Sequence, residues 1–400
     1  MNTRKSYVAL VMATLAFAVS FAIWSMLSPL ATQLQKQYNI GDFEISVLLA
    51  IPVILGSLAR IPMGVLTDRF GGRRVMTALL LFCILPCLGM QTANSFWSFA
   101  FWGFFLGMAG SSFAVGIPFV NRWFTADKQG LVAGIFGMGN IGTALAARVA
   151  PTMAKGSGGW QFVFLFFAGV VFVTAIAFYF LAGDEVRPTT SKSMGQRLSI
   201  LKTEKLTWLF GLFYFVTFGG FVAFGLYLPK LLVDVFGLDK VDAADRAAGF
   251  VVLATLARPL GGWLSDKLGA HKLLTVVFAA VPLMALVLSL LPSKNPSMEI
   301  LTACFLVIAF FLGLGNGAVF KLVPQYFGKD AGTVTGLVGA AGGLGGFFPP
   351  LVMGAFKTGL GSYALGYVLL AALAAVCLVL NLIVLGGKKA GKIGKAAPAQ

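Results

Sequence analysis

Apolar stretches of membrane-spanning length alternate with short polar segments along the whole 400-residue chain. A helix needs about 20 mostly apolar residues to cross a hydrocarbon core about 30 Å thick. The pattern therefore predicts twelve transmembrane helices, near residues 6–29, 43–66, 75–92, 97–121, 129–151, 161–182, 207–233, 247–264, 273–292, 299–323, 332–353 and 364–386. The first stretch is too long for a cleavable signal and has no small-residue cleavage site, so we count it as a span.

The composition agrees with an all-α integral membrane protein. Hydrophobic residues make up 58% of the chain and charged residues 11%, whereas soluble domains carry about 25% charged residues. His271 is the only histidine, and the spans contain no nucleophile motif and no cluster of acids and histidines. We therefore expect no metal, no cofactor and no enzymatic activity, and a membrane enzyme or receptor is the least favoured class.

The basic residues predict the orientation in the membrane. If the N-terminus is cytoplasmic, most of the 30 Lys and Arg residues lie on the cytoplasmic side. The outer side carries only a short set: Lys36, Lys155, Lys230, Lys240, Arg246, Lys294 and Lys357. By the positive-inside rule, both termini are expected in the cytoplasm and the spans in the cell membrane. The net charge of +16 then reflects topology rather than nucleic-acid binding, and the basic tail at 388–400 is expected to contact anionic membrane lipids.

The chain divides into two similar halves. The longest polar interval, 183–206, separates six spans in residues 1–182 from six spans in residues 207–387. The stretch "LARIPMGVLTDRFGGRRV" at 58–75 aligns without a gap to "LARPLGGWLSDKLGAHKL" at 256–273. Parallel six-span repeats with this Gly-x-x-x-Asp loop resemble the major facilitator superfamily. The resemblance implies twelve transmembrane helices in two pseudo-symmetric six-helix halves.

Two arginines occupy equivalent places in the middle of spans. Arg60 lies eight residues before Asp68, where the second span enters its loop. At about 1.5 Å per residue this is a depth of about 12 Å, near the middle of the bilayer. Arg258 stands in the same register of the second repeat. An arginine at this depth costs about 2.5–3.5 kcal/mol on insertion scales, so it needs a compensating interaction.

Three interactions could compensate for this cost. A buried ion pair is disfavoured, because all 14 acidic residues map to loops or span ends. Hydrogen bonds to backbone carbonyls at a helix break remain open, since Pro62 and Pro259 follow the arginines closely. The interpretation we favour is that the missing counter-ion is the cargo, and that the two guanidinium groups converge on an anion.

The neighbouring residues favour a small anion with a thin hydration shell. Glycine-rich spans let helices pack closely and leave little room, and a planar guanidinium group suits planar oxyanions. Dry walls are expected from aromatic side chains: Phe17, Phe21, Trp24, Phe113, Tyr214 and Phe218. The amide of Asn140 and the hydroxyl of Tyr214 are candidate donors. An exchanger of formate or another carboxylate is the alternative.

A closer resemblance is carried by "ARIPMG", "FVNRWF", "GMGNIGTALAARVAP" and "GAAGGLGGFFPP", which are similar to the nitrate/nitrite porter family. It implies that nitrate and nitrite are the substrates and that Arg60 and Arg258 clamp the ion. It also implies contacts from Asn140, Tyr214 and Phe218. The predicted substrate-binding residues are therefore Arg60, Arg258, Asn140, Tyr214, Phe218 and Phe113.

Two further groups of residues are expected to control movement rather than binding. Glycines of the two signature-like stretches are expected to let helices slide as gates: Gly137, Gly139, Gly142, Gly342, Gly343 and Gly345. Charged residues of the repeated loop are expected to latch one conformation: Asp68, Arg69, Arg73 and Asp266. Arg148 and Lys321 lie near span ends and are expected to be interfacial anchors.

The resemblance implies alternating access, in which the two halves rock about a central site. Two buried positive charges without an internal acid favour obligatory exchange of nitrate for nitrite, because the empty carrier would reorient slowly. Proton-coupled nitrate symport is the alternative, with Tyr214 as the titratable residue at mid-depth. The protein is expected to act as a monomer.

Overall fold

The computed structural model describes residues 3–156, 158–183, 194–292, 296–360 and 363–386. Across these ranges the chain is almost entirely helical and contains no strand. The all-α prediction is therefore confirmed for the described chain. Much of the predicted linker and the whole basic tail lie outside the described residues.

Twelve helical segments of the described chain are long and apolar enough to cross a membrane, which confirms the predicted number of spans. The helices are α1 (Thr3–Trp24), α2 (Leu27–Tyr38), α3 (Asp42–Leu58), α4 (Arg60–Phe70), α5 (Gly72–Gly89), α6 (Phe96–Leu106), α7 (Ser112–Asn121), α8 (Gln129–Gly137), α9 (Ile141–Ala154), α10 (Gly159–Leu181), α11 (Met194–Thr203), α12 (Lys205–Phe236), α13 (Lys240–Leu268), α14 (Ala270–Ser289), α15 (Met298–Phe327), α16 (Ala331–Leu360) and α17 (Ala364–Leu380).

The second, fourth and fifth spans, which carry the predicted substrate-binding residues of the first sequence half, are interrupted. The second span breaks at Ala59, between α3 and α4, and 3-10 turns interrupt the fourth span at Gly107–Ser111 and the fifth at Met138–Asn140. A 3-10 segment within a helix often marks a strained or functional position. Each interruption lies within two residues of a predicted substrate-binding residue.

The chain forms two compact units. The first comprises Met1–Thr125, Ile135–Thr203 and Lys329–Ala340, and the second comprises Ala126–Gly134, Glu204–Gly328 and Ala341–Gln400. Each unit therefore contains most of one sequence half together with a short segment of the other half. The short segment is the start of α16 in the first unit and the start of α8 in the second.

Glycines of the repeated loop explain how these short segments pack. In the first unit a Cβ atom on Gly64 would overlap the backbone of Gly332. In the second unit a Cβ atom on Gly262 would overlap the backbone of Gly130. The helices therefore approach each other backbone to backbone, which the absence of a side chain permits.

The turns that follow these helices also need glycine. Gly71 follows α4 with a φ of 87°, and Gly269 follows α13 with a φ of 91°. Side chains of L-residues rarely tolerate this region, so glycine at both positions of the repeat has a direct backbone reason.

Candidate functional site

Arg60 is buried at the start of α4 in the first unit. Only 2% of its surface is exposed. Its Nε donates a hydrogen bond to the carbonyl oxygen of Gly110 at 3.0 Å, and its Nη1 donates to the carbonyl oxygen of Gly339. Its Cζ lies 5.7 Å from the centre of the Phe113 ring, within the range of a cation–π interaction. Carbonyl dipoles and an aromatic face therefore hold the guanidinium group.

Phe113 belongs to a cluster of phenylalanines in the first unit. Its ring centre lies 5.5 Å from that of Phe17 and 5.8 Å from that of Phe136. Asn140 is 1% exposed and follows Gly139, where a Cβ atom would overlap the Phe17 ring. The first unit thus brings the predicted substrate residues of its own sequence half into one aromatic neighbourhood.

Arg258 is buried in α13 in the second unit, with 2% of its surface exposed. Its Cζ lies 5.2 Å from the ring centre of Phe218 and 5.2 Å from that of Phe221. Tyr214 is fully buried and stacks on Phe218 with ring centres 4.9 Å apart. Tyr214 and the Arg258 guanidinium group therefore both pack against the Phe218 ring. The second unit therefore also groups its three predicted substrate residues.

Two members of this aromatic group were not predicted. Phe221 lies beside Arg258, and Phe320 packs edge-on against Tyr214 with ring centres 4.6 Å apart. The sequence contains 38 phenylalanines, and no local signal separates these two from the rest. Only the packing of α12, α13 and α15 identifies them.

The backbone differs around the two arginines. The second span breaks directly before Arg60, whereas α13 continues through Arg258 and Pro259. Carbonyl hydrogen bonds, which the sequence left open as an alternative, are observed at Arg60, although the carbonyls belong to other spans. These oxygens carry partial negative charge, so they stabilise the Arg60 guanidinium group even before an anion binds.

In the first unit, Asp68 is the common acceptor of several hydrogen bonds from other helices. Its carboxylate accepts a hydrogen bond from Arg122 Nη2 at 2.6 Å, which forms an ion pair. It also accepts from the backbone N–H groups of Gly332 at 3.2 Å and Thr333 at 2.8 Å. Both N–H groups lie in the first turn of α16, where the helix dipole favours a negative charge.

Asp266 makes the matching network in the second unit. It pairs with Lys321 at 2.5 Å and accepts from the backbone N–H groups of Gly130 at 3.0 Å and Leu131 at 2.8 Å, in the first turn of α8. Lys321 also donates to the carbonyl oxygen of Ala126. The expectation that Lys321 is an interfacial anchor is therefore wrong, because its side chain is only 13% exposed and bound to Asp266.

The other predicted latch residues contact aromatic rings. The guanidinium carbon of Arg69 lies 5.0 Å from the ring centre of Phe70, and that of Arg73 lies 4.7 Å from the ring centre of Tyr179. Arg122, the ionic partner of Asp68, was not among the predicted latch residues. The stretch "FVNRWF" contains Arg122, but nothing in the sequence indicates which acid it meets.

Four of the six predicted gating glycines lie at close contacts: Gly139, Gly142, Gly342 and Gly345. In the first unit a Cβ atom on Gly142 would overlap the carbonyl group of Ala18. In the second unit a Cβ atom on Gly345 would come within 2.5 Å of the carbonyl oxygen of Phe215. The remaining members of the group are also buried: Gly137, Gly139, Gly342 and Gly343.

Solved transporters share this fold. The human organic anion transporter MFSD10 matches with a TM-score of 0.77 and 15% identity, over 94% of this chain and 99% of that one. The E. coli fucose:proton symporter FucP matches with a TM-score of 0.74 and 15% identity, over the same shares. The Major Facilitator Superfamily model matches residues 13–350 and 247–399. The family model and the twelve candidate spans therefore identify a multi-pass membrane protein of that superfamily.

Relatives of higher sequence identity show which family within the superfamily the chain belongs to. A nitrite extrusion protein of Bacillus subtilis is 39% identical over 94% of this chain and 94% of its own length. A probable nitrate transporter, NarT, of Staphylococcus epidermidis is 41% identical over 95% and 96%. A probable nitrate/nitrite transporter, NarK2, of Mycobacterium tuberculosis is 39% identical over 92% and 93%. This chain belongs to the nitrate/nitrite porter family of the major facilitator superfamily.

Proposed function

We propose that this protein transports nitrate and nitrite across the cell membrane by alternating access, exchanging one ion for the other. The proposal rests on the repeat-equivalent arginines, each buried in a membrane-spanning helix and each beside aromatic rings. Guanidinium groups offer planar, forked donors that match a planar monovalent oxyanion. The names of the relatives point to the same two ions.

In this proposal the anion is bound by buried residues from both sequence halves. Those that contact it are Arg60, Arg258, Asn140, Tyr214, Phe113 and Phe218. Aromatic walls with few donors cannot replace a large hydration shell, so they disfavour sulfate and phosphate. Nitrate and nitrite carry a single delocalised charge and lose less hydration on entry.

The two aspartate networks support a separate role for the repeated loop. We propose that the Asp68–Arg122 and Asp266–Lys321 pairs stabilise one conformation of the transport cycle, and that they do not contact substrate. The close glycine contacts at Gly142 and Gly345 would then let the helices reach this conformation.

Both termini are proposed to be cytoplasmic, as the distribution of basic residues predicts.

Exchange is the coupling mode we favour. By sequence, the middle of the spans contains two arginines and no carboxylate or histidine that could carry a proton. Proton-coupled nitrate symport is the second candidate. The observation in its favour is Tyr214, a titratable group that is fully buried beside Arg258.

Counterflow in liposomes tests the substrate. Vesicles containing the purified protein and unlabelled nitrate should accumulate labelled nitrate from outside. External nitrite should compete strongly, and formate and chloride should compete weakly. Stronger competition by formate than by nitrite would indicate that the substrates are small carboxylates. A folded protein that exchanges no nitrate would overturn it.

A further inference from the structure

Asn316 is a buried polar residue of α15 that the proposed function does not use. Only 3% of its surface is exposed. Neither Oδ1 nor Nδ2 of its amide has a hydrogen-bond partner in the part of the chain that the structure describes. Burying an unpaired amide is unfavourable, because its hydrogen bonds to water are lost without replacement. Such a group in a native protein therefore calls for a partner from outside the chain.

Contacts on either side show which way Asn316 faces. Leu312 and Phe320 lie one helical turn before and after it, on the same face of α15. A Cβ atom on Gly220 of α12 would be 3.3 Å from the Leu312 side chain, and Phe320 packs against Tyr214 of α12. Asn316 therefore faces the part of α12 between these two contacts.

That part of α12 carries Phe218, whose ring centre lies 5.2 Å from the guanidinium carbon of Arg258. On the other side, Gly317 packs so closely that a Cβ atom there would overlap the carbonyl oxygen of Arg258. Asn316 thus lies at the same level of the second unit as Phe218 and Arg258.

The internal repeat leads to the same position independently. "NRWF" of the fourth span aligns with "PQYF" of the tenth, and the alignment extends back without a gap. It pairs Gly110 with Gly313 and Phe113 with Asn316. Gly110 and Phe113 both contact the guanidinium group of Arg60. The tenth span therefore has an amide where the fourth span has the ring beside its arginine.

We infer that Asn316 is a further anion-binding residue, whose Nδ2 donates a hydrogen bond to an oxygen of the ion bound by Arg258. This inference rests on the proposed function and extends its binding site. A hydrogen bond to a charged acceptor is stronger than one between neutral groups. The anion thereby supplies the partner that the described part of the chain does not provide to this amide.

Replacement of the amide tests the inference. Asn316→Leu removes both polar atoms but keeps a side chain branched at the same carbon, and Asn316→Ala removes them without adding volume. Both should raise the nitrate Kd about tenfold or more, as expected for a lost hydrogen bond to a charged group. The melting temperature without nitrate should stay equal or rise, because an unpaired buried amide has been removed.

Asn381 provides the matched control in the same unit. It is also fully buried, but its Nδ2 donates to the carbonyl oxygen of His271 at 3.1 Å and to the Thr275 hydroxyl at 2.9 Å. Asn381→Leu should therefore show the opposite result, with a lower melting temperature and an unchanged nitrate Kd.

The outcomes separate this inference from the proposed function. Unchanged nitrate Kd values in both Asn316 variants, with normal binding by the wild-type protein, would overturn the role of Asn316 alone. The same holds if Asn316→Leu only lowers the melting temperature, because the amide would then have a structural role. A folded wild-type protein that binds no nitrate would overturn the proposed function itself.

Discussion

At Arg60, two N–H groups of one guanidinium group donate to carbonyl oxygens on different helices. A lysine ammonium keeps the charge but cannot reproduce this planar fork. We therefore expect Arg60→Lys and Arg258→Lys to raise the nitrate Kd about tenfold or more, and the alanine variants to abolish measurable binding. Titration calorimetry with nitrate on the purified variants measures both effects.

Arg246 is a suitable control for these substitutions. It forms an exposed pair with Asp242 one helical turn away, and both side chains are nearly half exposed. Arg246→Lys should therefore leave nitrate binding unchanged. Wild-type nitrate affinity in Arg60→Lys or Arg258→Lys would show that the forked donors of that arginine do not bind the anion.

The ion pair between Asp68 and Arg122 can be broken by a single substitution. Asp68→Asn removes the charge that faces Arg122 in a mostly buried pair, and breaking such a pair costs about 3–5 kcal/mol when it is fully buried. The conformation that the pair stabilises should become rarer, so the initial rate of nitrate exchange should fall about tenfold. The nitrate Kd should change by less than about threefold.

The exposed Asp242 is the matched control for Asp68. Since an exposed ion pair contributes about 0–1 kcal/mol, Asp242→Asn should exchange nitrate at the wild-type rate. If Asp68→Asn also exchanged nitrate at the wild-type rate, the proposal that the repeated loop stabilises one conformation would be wrong. A large rise in its nitrate Kd would instead place Asp68 in the binding site.

Helices pack closely at the gating glycines Gly142 and Gly345. Even an alanine at Gly142 or Gly345 would place its Cβ atom against a backbone carbonyl. We expect Gly142→Ala and Gly345→Ala to lower the maximal exchange rate about tenfold, and the leucine variants to block exchange. Nitrate binding should weaken less than transport, because the helices must separate while the arginines remain.

Gly169 offers a control within a spanning helix. A Cβ atom there would have no neighbour within 4 Å, and alanine favours the helix over glycine by up to about 1 kcal/mol. Gly169→Ala should therefore transport normally. A Gly142→Ala variant with wild-type exchange rates and weakened nitrate binding would show that these glycines shape the site rather than permit movement.

The distribution of charge in the spans predicts exchange rather than proton symport. A net charge of +16 includes two arginines in the middle of spans that contain, by sequence, no acid or histidine at that depth. An empty site therefore leaves positive charge less well compensated than an occupied one, and its reorientation should be slow. Nitrite or nitrate on the opposite side of the membrane should accelerate nitrate uptake into liposomes several-fold.

The same vesicles discriminate exchange from symport. With no anion inside, an inward proton gradient should drive little nitrate accumulation. Robust uptake into anion-free vesicles that depends on inward proton flow would establish symport instead. Tyr214→Phe would then be the first variant to examine, because it removes the buried hydroxyl beside Arg258 and keeps the ring.

The number of spans, the internal repeat and the family could all be predicted from the sequence. The number of spans follows from the length of apolar stretches, and the equivalence of Arg60 and Arg258 follows from an ungapped repeat. Both are one-dimensional properties, because hydrophobic length and register are read along the chain without knowledge of its neighbours. The family resemblance is likewise carried by contiguous motifs, and the relatives confirm it.

Contacts between residues of different helices could be identified only from the folded structure. The pairing of Asp68 with Arg122, the pairing of Asp266 with Lys321 and the carbonyl bonds of Arg60 all join different helices. Spacing along one helix predicts neighbours three or four residues away, but it does not determine which helices pack together or how each is rotated. Asn316 shows the same limit, since an unpaired amide can be recognised only when every surrounding side chain is in place.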